Sequence, residues 1–184
     1  MSKNEKSLDD LFDGVRILTV GRLSKEKGQE LTINVLARLK NEGYKVRWYC
    51  IGDGPEKYNY RNRIKRLDIE NDYILLGSKL NPYPFMKDCD IYVQPSKHEG
   101  YCITLGEARC FDNPIVTTNF TGANEQIKNE VTGLVCDISE QGIYQAIKRL
   151  LDNKELYKDI RTNLSNEIVD STNEISKLEK LVNL

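Results

Sequence analysis

Short apolar runs and longer amphipathic stretches alternate along this chain of 184 residues. The run from Val15 to Val20 has the length of a strand and ends at Gly21, after which leucine and valine side chains recur at helical spacing. Runs of this kind predict six strands, over residues 15–20, 45–51, 73–76, 90–94, 114–118 and 133–136. The amphipathic stretches predict helices over residues 27–42, 56–68, 83–88, 105–111, 123–128, 140–152 and 154–168.

Strands that alternate with helices predict parallel βαβ units, and right-handed crossovers then place helices on both faces of one sheet. We therefore predict a Rossmann-like α/β domain over residues 15–168. Residues 1–14 are mostly polar, and we predict a flexible N-terminal segment there. An apolar stripe in residues 169–184 predicts a C-terminal helix, which either packs on the core or meets a further domain.

Composition and charge exclude several classes of protein. The 27 basic and 28 acidic residues give a formal net charge of −1, which lacks the basic excess of nucleic-acid-binding proteins. The basic cluster from Arg61 to Arg66 is interpreted as a solvated helix face. No apolar run is long enough to span a membrane, and residues 1–10 do not resemble a secretory signal. These features predict a cytoplasmic protein with no nucleic-acid partner.

The residues that favour metal or nucleophilic chemistry are few. The five cysteines are odd in number and include no C-x-x-C pair, which favours reduced thiols. The single histidine, His98, has no neighbours at the spacing of a zinc site or a catalytic triad, and a lone loop histidine is more often only a surface residue. We expect no metal site.

Basic residues follow the first predicted strand, with Arg22, Lys25 and Lys27 placed before a helix expected to begin at Lys27. Ligands of parallel sheets bind outside the carboxyl ends of the strands. An arginine fork, a lysine ammonium and the positive end of a helix all favour a diphosphate. The alternative interpretation is a solvated basic turn.

Two acids, Glu99 and Glu107, follow the fourth predicted strand and flank a loop that contains Gly100. Gly100 and Gly106 permit close approach of the backbone to a ligand, and the amides at the start of the next helix favour an anion. Carboxylates accept hydrogen bonds from sugar hydroxyls, as in dinucleotide folds where an acid holds the ribose. The position of both acids after a strand makes them candidates for a sugar-nucleotide site.

Ten segments of the chain occur in the order of a known family and cover roughly residues 15–150. They are Gly21-Arg22-Leu23, Lys27-Gly28, Gly52-Asp53-Gly54-Pro55, Leu76-Gly77, Pro95-Ser96, Glu99-Gly100, Glu107-Ala108, Asn113 to Thr118, Gly122 with Glu125, and Thr132-Gly133-Leu134. The ordered set resembles the C-terminal, nucleotide-sugar-binding domain of glycosyltransferase family four. Members of that family have two Rossmann-like domains, in the type B glycosyltransferase fold.

The resemblance implies a role for each matching residue. Arg22 and Lys27 match the pair that contacts the donor diphosphate, Glu99 the acid near the transferred sugar, and Glu107 the acid that holds the ribose hydroxyls. The other donor-binding residues that it implies are Gly21, Leu80 (near the base), Gly100, Tyr101, Cys102, Ile103, Thr104 and Leu105. Cys102 is a departure, because the family often has glycine there, and its side chain is expected to change how the sugar or phosphate approaches.

The function implied is the donor-binding half of a retaining hexosyltransferase, acting on a UDP-sugar or GDP-sugar without a metal cofactor, in bacterial capsule, exopolysaccharide or cell-surface glycan synthesis. In the family an N-terminal Rossmann domain builds the site for the acceptor, a glycan or lipid-linked sugar. We expect this chain alone to be inactive and to reach the inner face of a membrane only through that half. The alternatives are a noncatalytic nucleotide-binding or docking module and a sugar-nucleotide epimerase-like domain.

Overall fold

Six parallel strands form a single sheet in the computed structural model, which describes residue 8 and residues 10–167. The strands are β1 (Val15–Val20), β2 (Val46–Ile51), β3 (Tyr73–Gly77), β4 (Ile91–Gln94), β5 (Ile115–Thr118) and β6 (Leu134–Cys136). They lie in the order β3-β2-β1-β4-β5-β6, and every neighbouring pair is parallel. The predicted Rossmann-like α/β fold is confirmed.

Helices cover both faces of the sheet. They are α1 (Gln29–Asn41), α2 (Lys57–Arg66), α3 (Tyr83–Asp88), α4 (Ile103–Ala108), α5 (Ala123–Gln126), α6 (Glu140–Asp152) and α7, over residues 154–167. Helices α1, α2, α6 and α7 pack on one face, and α3, α4 and α5 pack on the other. The helix predicted for residues 169–184 lies outside the described residues.

The central strand shows why apolar runs rather than alternating patterns mark this sheet. Ile17 and Leu18 of β1 are both fully buried, and they belong to the cores on opposite faces. Burial of such a side chain stabilises the fold by about 1.5–3 kcal/mol. A strand that is covered on both faces is therefore apolar at nearly every position.

Asp10 connects the N-terminal segment to the amino ends of β1 and β2. Its carboxylate accepts hydrogen bonds from Arg47 at 2.8 Å, from Arg16 at 3.1 Å and from the hydroxyl of Tyr49. Burial alone would raise the pKa of Asp10, but these hydrogen bonds outweigh it and lower the pKa to about 2. Such contacts do not measure motion, so the flexibility of residues 1–14 stays a prediction.

The connection from β1 to α1 differs from the prediction of a helix over residues 27–42. Lys25–Lys27 form a separate 3-10 turn, and α1 begins only at Gln29. Gly28 separates them with a φ of 71°, and a Cβ there would lie 2.0 Å from the carbonyl oxygen of Pro95. The left-handed backbone of Gly28 interrupts the helix, at a position where the β4 loop leaves no room for a Cβ, and Lys27 precedes α1 rather than starting it.

The predicted start of α4 at Leu105 is also wrong, by two residues. The helix begins at Ile103, with Cys102 as its N-cap, and ends at Ala108. Beyond it, the amides of Cys110 and Phe111 donate to carbonyls three residues earlier, which tightens the last turn.

Candidate functional site

The chain reverses its direction of travel across the sheet between β1 and β4. It runs outward from β1 through β2 to β3, and then crosses back to β4 on the other side of β1. The loops that leave β1 and β4 therefore turn to opposite sides and open a crevice at the carboxyl edge, where α/β sheets bind their ligands. The two candidate loops from the sequence are the ones that follow these strands.

Lys27 and Glu99 meet across this crevice. The ammonium group of Lys27 donates to Oε1 of Glu99 at 2.5 Å, and the two side chains are 27% and 10% exposed. The main chains are joined as well, because the amide of Lys97 donates to the carbonyl of Glu26 at 2.7 Å. The structure thus brings together Lys27 and Glu99, two of the three residues, with Arg22, that the resemblance implies as the catalytic ones at the diphosphate and the transferred sugar.

A buried hydrogen-bond network supports Glu99 from below. Ser96 Oγ donates to Glu99 Oε1 at 2.7 Å, and Gln94 Nε2 donates to Ser96 Oγ at 2.9 Å. Gln94 Oε1 in turn accepts from the hydroxyls of Tyr92 at 2.8 Å and Thr104 at 3.3 Å. Neither Gln94 nor Ser96 was among the predicted site residues. The available signal was a polar residue at the carboxyl end of an otherwise apolar central strand.

The backbone of Arg22 is held by a hydrogen bond, and its side chain is exposed. Gln29 Nε2 of α1 donates to the carbonyl oxygen of Arg22 at 2.9 Å, and Gln29 itself is buried. Lys25, in the same loop, lines a cavity of about 340 Å³ beside α2, together with Tyr60 and Arg63. The loop therefore presents Arg22 at the carboxyl edge, and Lys25 borders a separate hollow.

Helix α4 presents its first amides at the same edge. Those of Ile103 and Thr104 have no acceptor within the described part of the chain, while the amide of Leu105 already donates to the carbonyl of Cys102 at 3.1 Å. The amide of Leu105, which was predicted to be available to an anion, is therefore already hydrogen-bonded. The side chain of Leu105 is buried in the core.

Glu107 is held by a residue that the sequence analysis did not single out. The hydroxyl of Tyr83, the first residue of α3, donates to Glu107 Oε1 at 2.9 Å. This hydrogen bond and the charge of the carboxylate raise the pKa of the Tyr83 phenol, so it remains a donor at neutral pH. The sequence Asn81-Pro82-Tyr83-Pro84 predicted only the start of a short helix.

Exposed apolar side chains lie in the loops and at the helix starts that follow β3 and β4. Leu80 is 100% exposed, Tyr101 and Ile103 are each 69% exposed, and Tyr83 is about half exposed. Large apolar side chains left in water at a crevice are typical of a binding surface. Gly100 lies among them, and a Cβ there would meet nothing within 4 Å, so the fold itself leaves room at this position.

The side chain of Cys102 is buried, whereas the sequence predicted that it would lie at the donor site. Its side chain is 1% exposed and packs in the core beneath α4, so it does not project toward the crevice. Its φ of −88° suits any residue. Burial raises the pKa of the Cys102 thiol, which makes it a poor nucleophile. The buried side chain offers no exposed surface to a ligand, and the expectation that it alters the approach of a sugar or phosphate stays a prediction. His98, in contrast, is exposed beside Glu99.

The chain matches the family of glycosyl transferases group 1 over residues 5–166, and it belongs to that family. It is 32% identical over 157 residues to the N-acetylgalactosamine-N,N'-diacetylbacillosaminyl-diphospho-undecaprenol 4-alpha-N-acetylgalactosaminyltransferase of Campylobacter jejuni, with 84% of this chain and 42% of that protein covered. It is 29% identical to the capsular polysaccharide biosynthesis glycosyltransferase CapM of Staphylococcus aureus, with 88% and 42% covered. The chain thus spans about two fifths of the length of these relatives.

Solved structures share the fold at lower identity. HepE of Anabaena in complex with UDP superposes with a TM-score of 0.77 at 23% identity, over 93% of this chain and 49% of that one. The C-terminal domain of the group 1 protein LpcC of Francisella tularensis superposes with a TM-score of 0.76 at 20% identity, over 85% of each chain. The fold is therefore that of the C-terminal half of a type B glycosyltransferase.

The described residues contain neither a membrane-spanning helix nor a cluster of three or more potential metal ligands. Within residues 8 and 10–167, none of the helices has the length and apolar character needed to cross a bilayer. In the same part of the chain, His, Cys, Asp and Glu side chains do not gather in threes as a metal site requires. The expectation of metal-free chemistry stays a prediction.

Proposed function

We propose that this chain is the donor-binding half of a retaining hexosyltransferase that takes a sugar from a nucleoside diphosphate. The observation that carries the proposal is the contact between Lys27 and Glu99, which brings a cation and an acid together at the switch point of the sheet. A diphosphate needs cations, and a sugar needs hydrogen-bond acceptors. A site that binds a nucleotide sugar needs a cation for the diphosphate and an acid for the sugar.

Arg22 and Lys27 take the diphosphate in this proposal. An ammonium has three donors, so Lys27 can keep its bond to Glu99 and still offer two to phosphate oxygens. The free amides of Ile103 and Thr104 add donors on the opposite side of the crevice. As the bond to the sugar breaks, negative charge grows on the leaving diphosphate, and these preorganised groups stabilise it. Loss of one such donor typically raises the barrier by about 3–4 kcal/mol.

The two acids, Glu99 and Glu107, bind different sugars of the donor in this proposal. Glu107 accepts hydrogen bonds from the ribose hydroxyls, and Glu99 lies by the sugar that is transferred, with its orientation set by Ser96. Leu80 borders the base. Gly21, Gly100, Tyr101 and the backbone of Cys102 complete the donor site. No residue of this chain is assigned as a nucleophile, and the residues of the site require no metal in this scheme.

The names of the relatives favour a place in bacterial surface polysaccharide synthesis. CapM is named for capsular polysaccharide, and the Campylobacter enzyme for a sugar linked to diphospho-undecaprenol. HepE was crystallised with UDP, which favours uracil as the base here. The acceptor site belongs to an N-terminal Rossmann-like domain that these residues do not contain, so the chain alone should transfer little. Contact with the inner face of a membrane would also come through that domain.

Calorimetric titration tests this function. The chain is titrated with UDP, GDP and their hexose conjugates, alongside Arg22→Ala and the control Arg61→Ala on the exposed face of α2. We expect saturable binding of one nucleotide series, at least about tenfold weaker in Arg22→Ala, because hydrogen bonds between charged groups are lost. Arg61→Ala should bind as the unmodified chain does. Absence of binding, or equal binding by Arg22→Ala, would remove the proposal and favour a noncatalytic docking module.

A further inference from the structure

Tyr83 and Glu107 reach each other from two separate helices. Tyr83 opens the helix that follows β3, and Glu107 lies on the helix that follows β4. Both helices pack on the same face of the sheet, through Phe85 of α3 and Leu105 of α4 among others. The contact is therefore built because α3 and α4 share one core, since β3 and β4 are not neighbours in the sheet.

The phenol is held in place from two directions. The amide of Tyr83 donates to Oδ1 of Asn81 at 3.1 Å, which fixes the turn that leads into α3. The ring packs against Phe111, with centroids 6.4 Å apart and planes tilted by 37°. With its backbone and ring both constrained, the hydroxyl is directed at Glu107 before any ligand binds.

The hydrogen bond leaves Glu107 partly free. It occupies one lone pair of Oε1, and Oε2 has no partner among the described residues. A carboxylate has about four acceptor positions, so a pair of neighbouring hydroxyls can still bind to it. A carboxylate that is oriented in advance loses less conformational entropy when the hydroxyls arrive.

We propose that Tyr83 is a positioning residue that holds Glu107 ready for the ribose hydroxyls and makes the site selective for ribonucleotides over 2′-deoxyribonucleotides. This rests on the function proposed above, in which Glu107 binds the ribose. The competing role for the same contact is a latch, in which the phenol blocks Glu107 and has to be displaced by the nucleotide. The two roles predict opposite effects when the hydroxyl is removed.

The test compares UDP with 2′-deoxy-UDP, and GDP with 2′-deoxy-GDP, by calorimetric titration of the chain and of Tyr83→Phe. We expect the unmodified chain to favour the ribonucleotide by about tenfold or more, the strength of a hydrogen bond to a charged group. Tyr83→Phe should weaken ribonucleotide binding by about three- to tenfold, and should weaken the deoxyribonucleotide less because only its 3′ hydroxyl reaches Glu107, so that the preference shrinks. An unchanged preference, or tighter binding of the ribonucleotide, would overturn the inference.

Two further variants separate positioning from other roles. In a Glu107→Ala background, Tyr83→Phe should have almost no further effect, because Tyr83 acts through Glu107; a loss as large as in the unmodified chain would mean that Tyr83 contacts the nucleotide itself. Tyr58→Phe, at a largely exposed tyrosine on α2, is the matched control and should keep both affinities and the melting temperature. Melting curves of Tyr83→Phe confirm that it is folded.

The outcomes distinguish this inference from the proposed function. If the chain binds the ribonucleotide and Arg22→Ala weakens that binding, while Tyr83→Phe keeps the full preference for ribose, then only the role of Tyr83 is wrong. If no nucleoside diphosphate binds the unmodified chain, the proposed function and the inference fail together.

Discussion

Lys27 and Glu99 are 72 positions apart in the sequence, and their side chains meet at 2.5 Å above two adjacent strands of the sheet. The loop after β1 carries the cation, and the loop after β4 carries the acid. Because Ser96 also donates to the same carboxylate oxygen, the acid is oriented without a ligand. The crevice is therefore preorganised, which is the property that electrostatic catalysis requires.

Removal of the cation should destabilise the fold as well as the site. Lys27→Met leaves Glu99, whose side chain is only 10% exposed, without its charged partner. We expect the free energy of unfolding to fall by about 1–3 kcal/mol, as measured by urea denaturation at neutral pH.

A double variant and an exposed ion pair provide the controls for this prediction. Adding Glu99→Gln to Lys27→Met removes the uncompensated charge and should recover part of the loss. Lys45→Met breaks a pair with Asp13 whose side chains are 62% and 97% exposed, and should change stability little. Equal losses in Lys27→Met and Lys45→Met would contradict the account of the contact.

Gly28→Ala should be more harmful than the same change at Gly43. Both glycines have left-handed backbones, with φ of 71° and 87°, so each substitution costs about 1–2 kcal/mol of conformational energy. A Cβ at Gly43 would meet nothing within 4 Å, whereas at Gly28 it would overlap the carbonyl of Pro95. Urea denaturation should show Gly28→Ala to be less stable than Gly43→Ala by at least about 1 kcal/mol. Similar values for the two would mean that the loops do not approach so closely.

The hydrogen bonds of Asp10 should make the free energy of unfolding depend on pH in the acid range. The pKa of Asp10 is lowered from 3.8 to about 2 in the folded chain, so its contribution is complete above pH 3.8 and is lost as the pH falls through about 2. Asp10→Asn should reduce the free energy of unfolding by about 1–2 kcal/mol at pH 7. Denaturation curves should show that this difference shrinks between pH 3.8 and 2. A difference that stays constant with pH, or one matched by the exposed control Asp13→Asn, would contradict it.

Thiol labelling reports where Cys102 lies. Cys110 is the exposed cysteine, and Cys50, Cys89 and Cys102 are buried. Burial raises the pKa of the Cys102 thiol and lowers its reactivity further. At mildly alkaline pH a disulfide reagent should label Cys110 much faster than Cys102, and all the cysteines once the chain is unfolded. Fast labelling of Cys102, in a chain that carries Cys110→Ser, would show that its side chain faces the crevice.

The fold could be predicted because its strands are bounded apolar runs, and β1 was predicted with the bounds that the structure gives, Val15–Val20. The starts of α3, α5 and α6 were also predicted as the structure gives them, but that of α1 was not. Residues 27–42 have a continuous helical pattern, yet Gly28 adopts a left-handed φ of 71° and lies against the carbonyl of Pro95 from another loop. Local propensity does not contain that contact.

The candidate site, like the fold, could be predicted only in part. Acids and cations that follow strands can be identified along the sequence, and the carboxyl edge of a parallel sheet then brings them together. The residues that orient these acids and cations could not be identified from the sequence in this way. Tyr83 reaches Glu107 only because α3 and α4 share one core, and Gln94 reaches Glu99 only through Ser96. Tyr83 is an ordinary residue in its own segment, and Gln94 is marked there only as a polar residue at the end of an apolar strand.

The central claim is that the carboxyl edge of β1 and β4 holds a nucleoside diphosphate. Amide correlation spectra of the isotope-labelled chain, recorded during titration with UDP and with GDP, test it most directly. The account predicts saturable shifts at Gly21, Arg22, Ile103, Thr104 and Glu107, with the amides of α2 unaffected. Shifts confined to the basic face of α2, or no saturable shift with either nucleotide, would contradict it.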